Sequence, residues 1–275
     1  MKIAVSHYSY FAAHRDGRMN IGQFIHEAAR IGAEGVELLS PLYRDPAADK
    51  AMAKQALGET GLAVPIFSVG NNFAKPSELE RADQLEQIRF GISEAVDFGA
   101  SVVRVFAGDL SEGIQFDDAQ KWIVEGLALA SSVAADAGVK LALENHGKLA
   151  GRGDQIASLI EAVREKCGNE ALGANPDFGN FMLVDECPCC AITQVSKYAV
   201  MAHAKDFGLA TEGFRSLEGK IYQGTVIGEG EVPIQKCIDE LKSAGFDGWL
   251  SVEYEGTEDP LTAVPRSVSN LERMV

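Results

Sequence analysis

Basic side chains are in short supply in this sequence. Its 275 residues include 25 lysines and arginines against 40 aspartates and glutamates, which gives a formal net charge of −15. A surface with that balance repels the phosphate backbone of DNA or RNA over most of its area. The composition therefore argues against a nucleic-acid-binding protein.

Long apolar runs are also missing. No stretch approaches the ~20 uninterrupted apolar residues that a membrane helix needs. The N-terminus leads directly into Lys2-Ile3-Ala4-Val5, without the apolar core of a signal peptide. We therefore expect a cytoplasmic protein that does not bind a membrane.

Cysteine is too rare, and odd in number, for a disulfide framework. The five cysteines favour reduced thiols in the cytosol. Three of them fall in Cys187-Pro188-Cys189-Cys190 and could share a soft metal ion, but a second Cys/His pair at zinc-site spacing is lacking. The simpler interpretation is the first turn of a helix, with Pro188 near its first position.

Short apolar runs alternate with longer amphipathic stretches along the whole chain. The runs predict eight strands, at residues 3–6, 35–39, 62–69, 101–107, 139–144, 172–175, 199–203 and 249–253. The amphipathic stretches predict helices that include residues 20–31, 77–98, 117–137, 154–166 and 232–244. Strands and helices in this order are typical of an α/β protein with a parallel sheet.

The predicted fold is a single (β/α)8 TIM barrel over residues 1–275. The length is close to the roughly 250 residues of such a barrel, and no Pro/Ser-rich hinge divides the chain. The alternative is an open doubly wound sheet, which would normally place a glycine-rich phosphate loop after its first strand. Here the first strand is followed by His7-Tyr8-Ser9-Tyr10, which cannot bind phosphate in that way.

Metal-binding side chains stand at the ends of four consecutive predicted strands. Reactive groups in a TIM barrel lie at the carboxyl ends of the strands, and these positions hold Glu144, Asp177, His203 and Glu253. Three converging carboxylates repel one another unless a cation joins them. We therefore predict one divalent metal ion on these four residues. Oxygen-rich ligation with one imidazole favours Mn²⁺ first, with Mg²⁺ or Co²⁺ as alternatives.

These motifs resemble the sugar phosphate isomerase/epimerase superfamily, which has a xylose-isomerase-like barrel and includes ketose 3-epimerases, hydroxypyruvate isomerase and inosose dehydratase. The resemblance rests on Gly35-Val36-Glu37-Leu38, Leu143-Glu144-Asn145-His146-Gly147, Asp177-Phe178-Gly179-Asn180, His203-Ala204-Lys205-Asp206 and Val252-Glu253-Tyr254. It implies that Glu144, Asp177, His203 and Glu253 bind the metal. It further implies that the two glutamates act as acid and base.

The implied chemistry is consistent with these residue types. Removing a proton next to a carbonyl forms an enediolate, whose charge a chelated metal ion neutralises. Glu144 and Glu253 arrive from different strands, so one can remove a proton while the other returns it. We predict a metal-dependent isomerase or epimerase acting on a small keto-sugar or related polyhydroxy carbonyl compound.

Four further residues are candidates for substrate binding. His146 could bond a substrate hydroxyl or make a capping contact in its loop. Arg104 and Lys205 could bind an anionic group or pair with carboxylates at the barrel mouth. Glu37, which we expect to end the second strand, could contact substrate or orient another polar side chain.

Other functions remain open at the level of sequence. The same residues suit a dehydratase of an inosose or related compound, in which a hydroxyl is expelled after proton removal. An apurinic endonuclease would need a three-zinc cluster with more histidines than the five present. A noncatalytic binding barrel is a further alternative. The absence of a dense Lys/Arg cluster favours an unphosphorylated substrate, and relatives with this barrel often form homo-oligomers.

Overall fold

The computed structural model describes residues 1–111 and 113–275. The strands in this part of the chain are β1 (Lys2–Ser6), β2 (Gly35–Leu39), β3 (Ala63–Ser68), β4 (Val102–Phe106), β5 (Lys140–Glu144), β6 (Leu172–Asn175), β7 (Ala202–Ala204), β8 (Asp206–Arg215), β9 (Ile221–Thr225) and β10 (Trp249–Val252). The helices are α1 (Phe11–Arg15), α2 (Ile21–Arg30), α3 (Pro46–Thr60), α4 (Glu78–Phe98), α5 (Phe116–Ala137), α6 (Gly153–Cys167), α7 (Asn180–Leu183), α8 (Pro188–Val195), α9 (Ile234–Ser243) and α10 (Pro260–Glu272).

Eight parallel strands form a nearly closed barrel with helices around it. Their order is β6-β5-β4-β3-β2-β1-β10-β7. The two ends of this sheet meet through parallel bridges between Ala174 and Ala199 and between Asp177 and His203. The predicted (β/α)8 barrel is therefore confirmed, and the order rules out an open doubly wound sheet.

The strands are buried because both of their faces are covered. All five residues of β2 are buried, as are the first four of β4. The apolar side chains that point outward pack under the helices, and those that point inward fill the barrel. This arrangement leaves the carboxyl ends of the strands as the place where polar side chains gather. Among the described helices, none is long and apolar enough to cross a membrane.

Two regions differ from the sequence prediction. The seventh barrel strand is shorter than predicted and covers Ala202–Ala204, since residues 199–201 lie outside it. The antiparallel hairpin of β8 and β9 was not predicted. Most of β8 beyond its first two residues is exposed or half-buried, so it lacks the apolar alternation that marks a strand packed on a core.

A buried histidine follows β1 in the first turn after the strand. His7 is completely buried, stacks on Phe24 with ring centroids 4.6 Å apart, and meets the edge of His14 at 5.1 Å. Neither of its ring nitrogens has a hydrogen-bond partner. Burial, assisted by His14, lowers the pKa of His7 from 6.5 to about 3. The folded protein therefore holds this imidazole neutral.

We predict that the stability of the protein falls with acidification because of His7. The unfolded chain binds a proton on this residue near pH 6.5, whereas the folded chain does so only near pH 3. The contribution is complete above pH 6.5 and is lost as the pH falls toward 3, by about 2 kcal/mol between pH 7.5 and 5.0. Urea unfolding at the two pH values measures it. His7→Leu should lack this loss, whereas His26→Leu, on the exposed face of α2, should retain it. An equal loss in wild type and His7→Leu would contradict the prediction.

Candidate metal centre

The barrel brings the four predicted ligands together at its carboxyl end. Glu144 is the last residue of β5, His203 lies in β7, and Asp177 and Glu253 follow β6 and β10. All four side chains are between 0 and 5% exposed. One ligand atom from each can be chosen so that all lie within 4.8 Å of one another. The four predicted ligands therefore lie close to one another, as the metal prediction requires.

The distances around His203 fit a shared cation. Its Nδ1 atom is 3.4 Å from Glu144 Oε2, 3.7 Å from Asp177 Oδ2 and 3.7 Å from Glu253 Oε1. Two atoms that each lie ~2.1 Å from one ion are separated by roughly 3–4 Å. The four side chains therefore surround a space of the right size for one divalent ion.

Backbone pairing fixes these residues in place. The His203 amide donates to the Pro176 carbonyl at 3.0 Å, and the Glu253 amide donates to the Ala204 carbonyl at 3.0 Å. The Asn145 side chain makes two hydrogen bonds to the backbone of Asp177. Its Oδ1 accepts from the Asp177 amide at 2.8 Å, and its Nδ2 donates to the Asp177 carbonyl at 3.0 Å. The geometry of the cluster thus belongs to the rigid barrel rather than to its loops.

Glu37 sets the orientation of the His203 ring. His203 Nε2 lies 3.0 Å from Glu37 Oε2, and donation through this nitrogen turns Nδ1 toward the other three ligands. Ser251 donates to the same carboxylate oxygen at 2.7 Å, and Ser68 donates to the other oxygen. A carboxylate that holds the far nitrogen of a ligating histidine is a common support of metal sites.

The location of Glu37 corrects the sequence interpretation. The residue does not end β2 but lies in its middle, and its side chain is completely buried. Its carboxylate is occupied by His203 and the two serines below the cluster, so a direct substrate contact is not supported. The second reading of the sequence, an orienting role toward another polar side chain, agrees with the observed contacts.

We predict that Glu37→Gln weakens divalent-metal binding by at least ~10-fold, because the imidazole loses its anionic partner. Titration calorimetry with Mn²⁺ on metal-free protein measures the effect. Glu34→Gln is a matched control, since Glu34 is exposed just before β2. An unchanged affinity in Glu37→Gln would show that the hydrogen bond to His203 does not support the site.

The electrostatics of the cluster favour the binding of a cation. Asp177 Oδ2 is buried without a hydrogen-bond partner, and burial raises the pKa of this carboxyl although Lys205 opposes the shift. Burial disfavours a charged His203, but the carboxylates of Glu37 and Glu253 outweigh it and raise the pKa of His203 well above 6.5. A divalent ion relieves the same excess of negative charge and also satisfies Asp177. The residues present fit a metal ion.

Two basic side chains flank the cluster, one beside each glutamate. Arg104 Nε is 3.3 Å from Glu144 Oε2, and Lys205 Nζ is 2.6 Å from Glu253 Oε2. Burial alone would raise the pKa of Glu253, but Lys205 and His203 hold it well below its usual range. His203 and Arg104 likewise outweigh burial and lower the pKa of Glu144. Both glutamates are therefore ionised and able to accept a proton.

A cavity of about 290 Å³ opens above the cluster. Its lining residues are Tyr8, Phe11, Leu39, Pro41, Leu42, Gly70, Arg104, Phe106, Glu144, His146, Lys205, Glu253 and Glu255. This volume lies at the lower end of the range for small-molecule sites. Three of the four sequence-predicted substrate residues, Arg104, His146 and Lys205, thus face the cavity with both glutamates.

The sequence matches the model of a known family. The family model described as the xylose isomerase-like TIM barrel matches residues 25–274. The chain belongs to this family.

Relatives of this xylose isomerase-like chain include two named isomerases or epimerases. L-Ribulose-5-phosphate 3-epimerase UlaE of Escherichia coli (strain K12) is 26% identical over 220 residues, covering 77% of this chain and 72% of the relative. A putative hydroxypyruvate isomerase of Streptomyces coelicolor is 24% identical over 255 residues, covering 85% of each chain. The crystal structure of the IolI protein with a bound zinc atom has a TM-score of 0.77 at 15% identity, covering 100% of this chain and 96% of that one. The last similarity shows the shared fold.

Several residues of the site were missed by the sequence reasoning. Asn175 Nδ2 donates to Glu144 Oε2 at 3.1 Å, and Asn180 Nδ2 donates to Glu144 Oε1 at 3.2 Å. Glu255 lines the cavity with Tyr8, whose hydroxyl donates to it at 2.8 Å. Asn175 ends β6 and Glu255 stands two residues beyond Glu253, so a search of strand ends for amides as well as charged ligands could have found them.

The cysteine motif has the structure predicted by its simpler interpretation. Cys187 caps α8, and Pro188 is the first residue of that helix. Within residues 1–111 and 113–275, the one His/Cys/Asp/Glu group compact enough to hold a metal is that of Glu144, Asp177, His203 and Glu253. The thiols are not part of it.

Proposed function

We propose that this protein is a divalent-metal-dependent isomerase or epimerase of a small keto-sugar or related polyhydroxy carbonyl compound. The observation that carries the proposal is the placement of two ionised glutamates, each beside a basic side chain, in a compact metal-binding cluster on the floor of a small cavity. The names of two relatives, a sugar-phosphate epimerase and a putative hydroxypyruvate isomerase, support the same reaction class.

Glu144 and Glu253 transfer the proton in the proposed reaction. The carbonyl end of the substrate lies over the cluster, with Glu144 and Glu253 next to the carbon that carries the exchangeable proton. One glutamate, as the carboxylate, removes this proton. The other, after it has taken a proton from water, supplies one either to the opposite face of the same carbon or to its neighbour. The first outcome is epimerisation and the second is aldose–ketose isomerisation. When bound, a divalent ion (Mn²⁺ before Mg²⁺ or Co²⁺) supplies the positive charge that offsets the negative charge left on the substrate oxygens.

Arg104, Lys205 and His146 complete the polar lining. The first two hold Glu144 and Glu253 as carboxylates and orient them toward the cluster. His146 lies on Phe106, with ring centroids 4.3 Å apart, and faces the cavity, where it is placed to bond a substrate hydroxyl. The apolar side chains of the wall, including Phe11 and Leu42, limit the access of water to the reacting carbon.

Solvent deuterium uptake tests this proposal directly. Mn²⁺-loaded protein is incubated in D₂O with a panel of ketoses and hydroxy-carbonyl compounds, and the recovered compounds are examined by NMR. We expect deuterium at the carbon next to the carbonyl in at least one compound, together with its epimer or isomer. Product that has lost water would identify a dehydratase instead. Binding of a panel compound without deuterium uptake or product would support a noncatalytic barrel.

A further inference from the structure

Glu255 places a carboxylate in the cavity wall beyond the metal cluster. Its Oε2 is 3.2 Å from Lys205 Nζ, and its Oε1 accepts the hydrogen bond from Tyr8. The side chain is 23% exposed. It lines both the cavity above the metal cluster and a smaller adjoining one of about 80 Å³. A compound that fills the cavity above the cluster therefore meets this negative charge.

Lys205 has no donor left for an anionic substrate. A lysine ammonium group has three N–H donors. Lys205 Nζ lies 2.6 Å from Glu253 Oε2, 3.2 Å from Glu255 Oε2, 3.4 Å from Asn180 Oδ1 and 3.5 Å from Asp177 Oδ2. These four acceptors outnumber the three donors. A phosphate group in the cavity would have to displace one of them.

Arg104, the other permanent cation of the cavity wall, also makes contacts within the protein. One terminal nitrogen donates to the Val69 carbonyl at 2.9 Å, and Nε faces Glu144 Oε2 at 3.3 Å. The flat face of the guanidinium covers Phe106, 4.0 Å from the ring centroid. Nε and one terminal nitrogen point toward the glutamate and the barrel, which leaves the second terminal nitrogen to meet a phosphate rather than an open two-donor fork.

The groups around the cavity carry no excess of positive charge that would bind an anion. Five carboxylates gather in and below it, namely those of Glu37, Glu144, Asp177, Glu253 and Glu255. With His203 neutral as a ligand of the ion, Arg104, Lys205 and a divalent ion together supply four positive charges, so the balance stays negative by one. A phosphate monoester would add between one and two further negative charges at neutral pH. A hydroxyl group adds none and can donate a hydrogen bond to a carboxylate.

We propose that Glu255 is a specificity-determining residue that makes the cavity select an uncharged polyhydroxy carbonyl compound over its phosphorylated form. This assignment rests on the proposed function and names the substrate class of the same site. Glu255 accepts a hydrogen bond from a substrate hydroxyl. Its negative charge and its ion pair with Lys205 both disfavour a phosphate at that position.

The test compares free ketopentoses and ketohexoses with their terminal phosphates. For each pair, kcat/KM for deuterium uptake and the affinity by calorimetry are measured with Mn²⁺-loaded wild type, Glu255→Gln and Glu255→Asp. Wild type should prefer the free sugar by at least ~10-fold, the effect of about one charged hydrogen bond. Glu255→Gln should reduce that preference by at least ~10-fold, because it removes the negative charge that repels a phosphate beside Lys205. Glu255→Asp should keep most of the preference.

Glu258→Gln is the matched control, because Glu258 is exposed and pairs with Arg266 outside the cavity. It should leave the preference unchanged. A wild type that prefers the phosphates, or a Glu255→Gln variant with the wild-type preference, would overturn the assignment. If no compound takes up deuterium, the proposed reaction fails, and calorimetry decides the specificity separately. If the free sugars bind more tightly, the role of Glu255 is supported. If the phosphates bind more tightly, or if neither form binds more tightly than the other, the role is overturned.

Discussion

Replacing Glu253 with glutamine is expected to lower the rate of deuterium exchange by at least ~10³-fold while the barrel stays folded. Glutamine has nearly the same shape but cannot accept the substrate proton. General acid–base catalysis contributes roughly 10²–10⁴-fold, and the lost negative charge next to His203 also weakens metal binding. The same reasoning applies to Glu144→Gln, since Glu144 Oε2 is 3.4 Å from His203 Nδ1.

The measurement is the exchange rate with the best ketose, at a Mn²⁺ concentration that saturates each variant. Circular dichroism and thermal unfolding establish that the variants remain folded. Glu231→Gln removes a carboxylate from an exposed position and should exchange at the wild-type rate. A near-normal rate in Glu144→Gln or Glu253→Gln would remove that glutamate from the mechanism.

Replacing Asp177 with asparagine is expected to abolish the stabilisation of the protein by Mn²⁺. Asp177 Oδ2 is completely buried without a hydrogen-bond partner, and the Lys205 ammonium lies 3.5 Å away, so we expect a bound metal ion to be its closest partner. A ligand present at 100 times its Kd stabilises the native state by about 2.7 kcal/mol, and we expect this gain to disappear in the variant. Without metal, Asp177→Asn should be at least as stable as wild type, because it removes one of several buried carboxylates that repel one another.

Thermal unfolding with and without Mn²⁺ measures both effects. Asp109→Asn is a suitable control, since Asp109 is exposed and faces His146 rather than the cluster. It should keep the full stabilisation by Mn²⁺. A metal-dependent gain of wild-type size in Asp177→Asn would exclude this residue as a ligand.

The fold was predictable because its strands are buried on both faces. Runs such as Gly35–Leu39 and Val102–Phe106 are apolar enough to be recognised without any knowledge of their partners. The β8–β9 hairpin escaped prediction for the opposite reason, since its side chains are mostly in contact with solvent. The first three residues of the predicted seventh strand, 199–201, are apolar but lie outside the strand, so the apolar run placed its start too early.

The candidate site was predictable where it depends on strand ends and not where it depends on contacts across the barrel. The four ligands each end or follow an apolar run, and the barrel topology requires such positions to converge. Glu37 lies in the middle of a strand and meets His203 from another part of the sheet, a contact that a single sequence does not contain. The role of Lys205 likewise depends on its partners, since its acceptors come from two segments far apart in the sequence, one at Asp177 and Asn180 and one at Glu253 and Glu255.

The measurement that tests the central claim most directly is anomalous diffraction from crystals of this protein soaked in Mn²⁺. Our account predicts one strong peak bounded by Glu144, Asp177, His203 and Glu253, roughly 2.0–2.2 Å from the nearest ligand atoms, as for other small divalent ions. A peak elsewhere in the molecule, or no peak at saturating Mn²⁺, would contradict it.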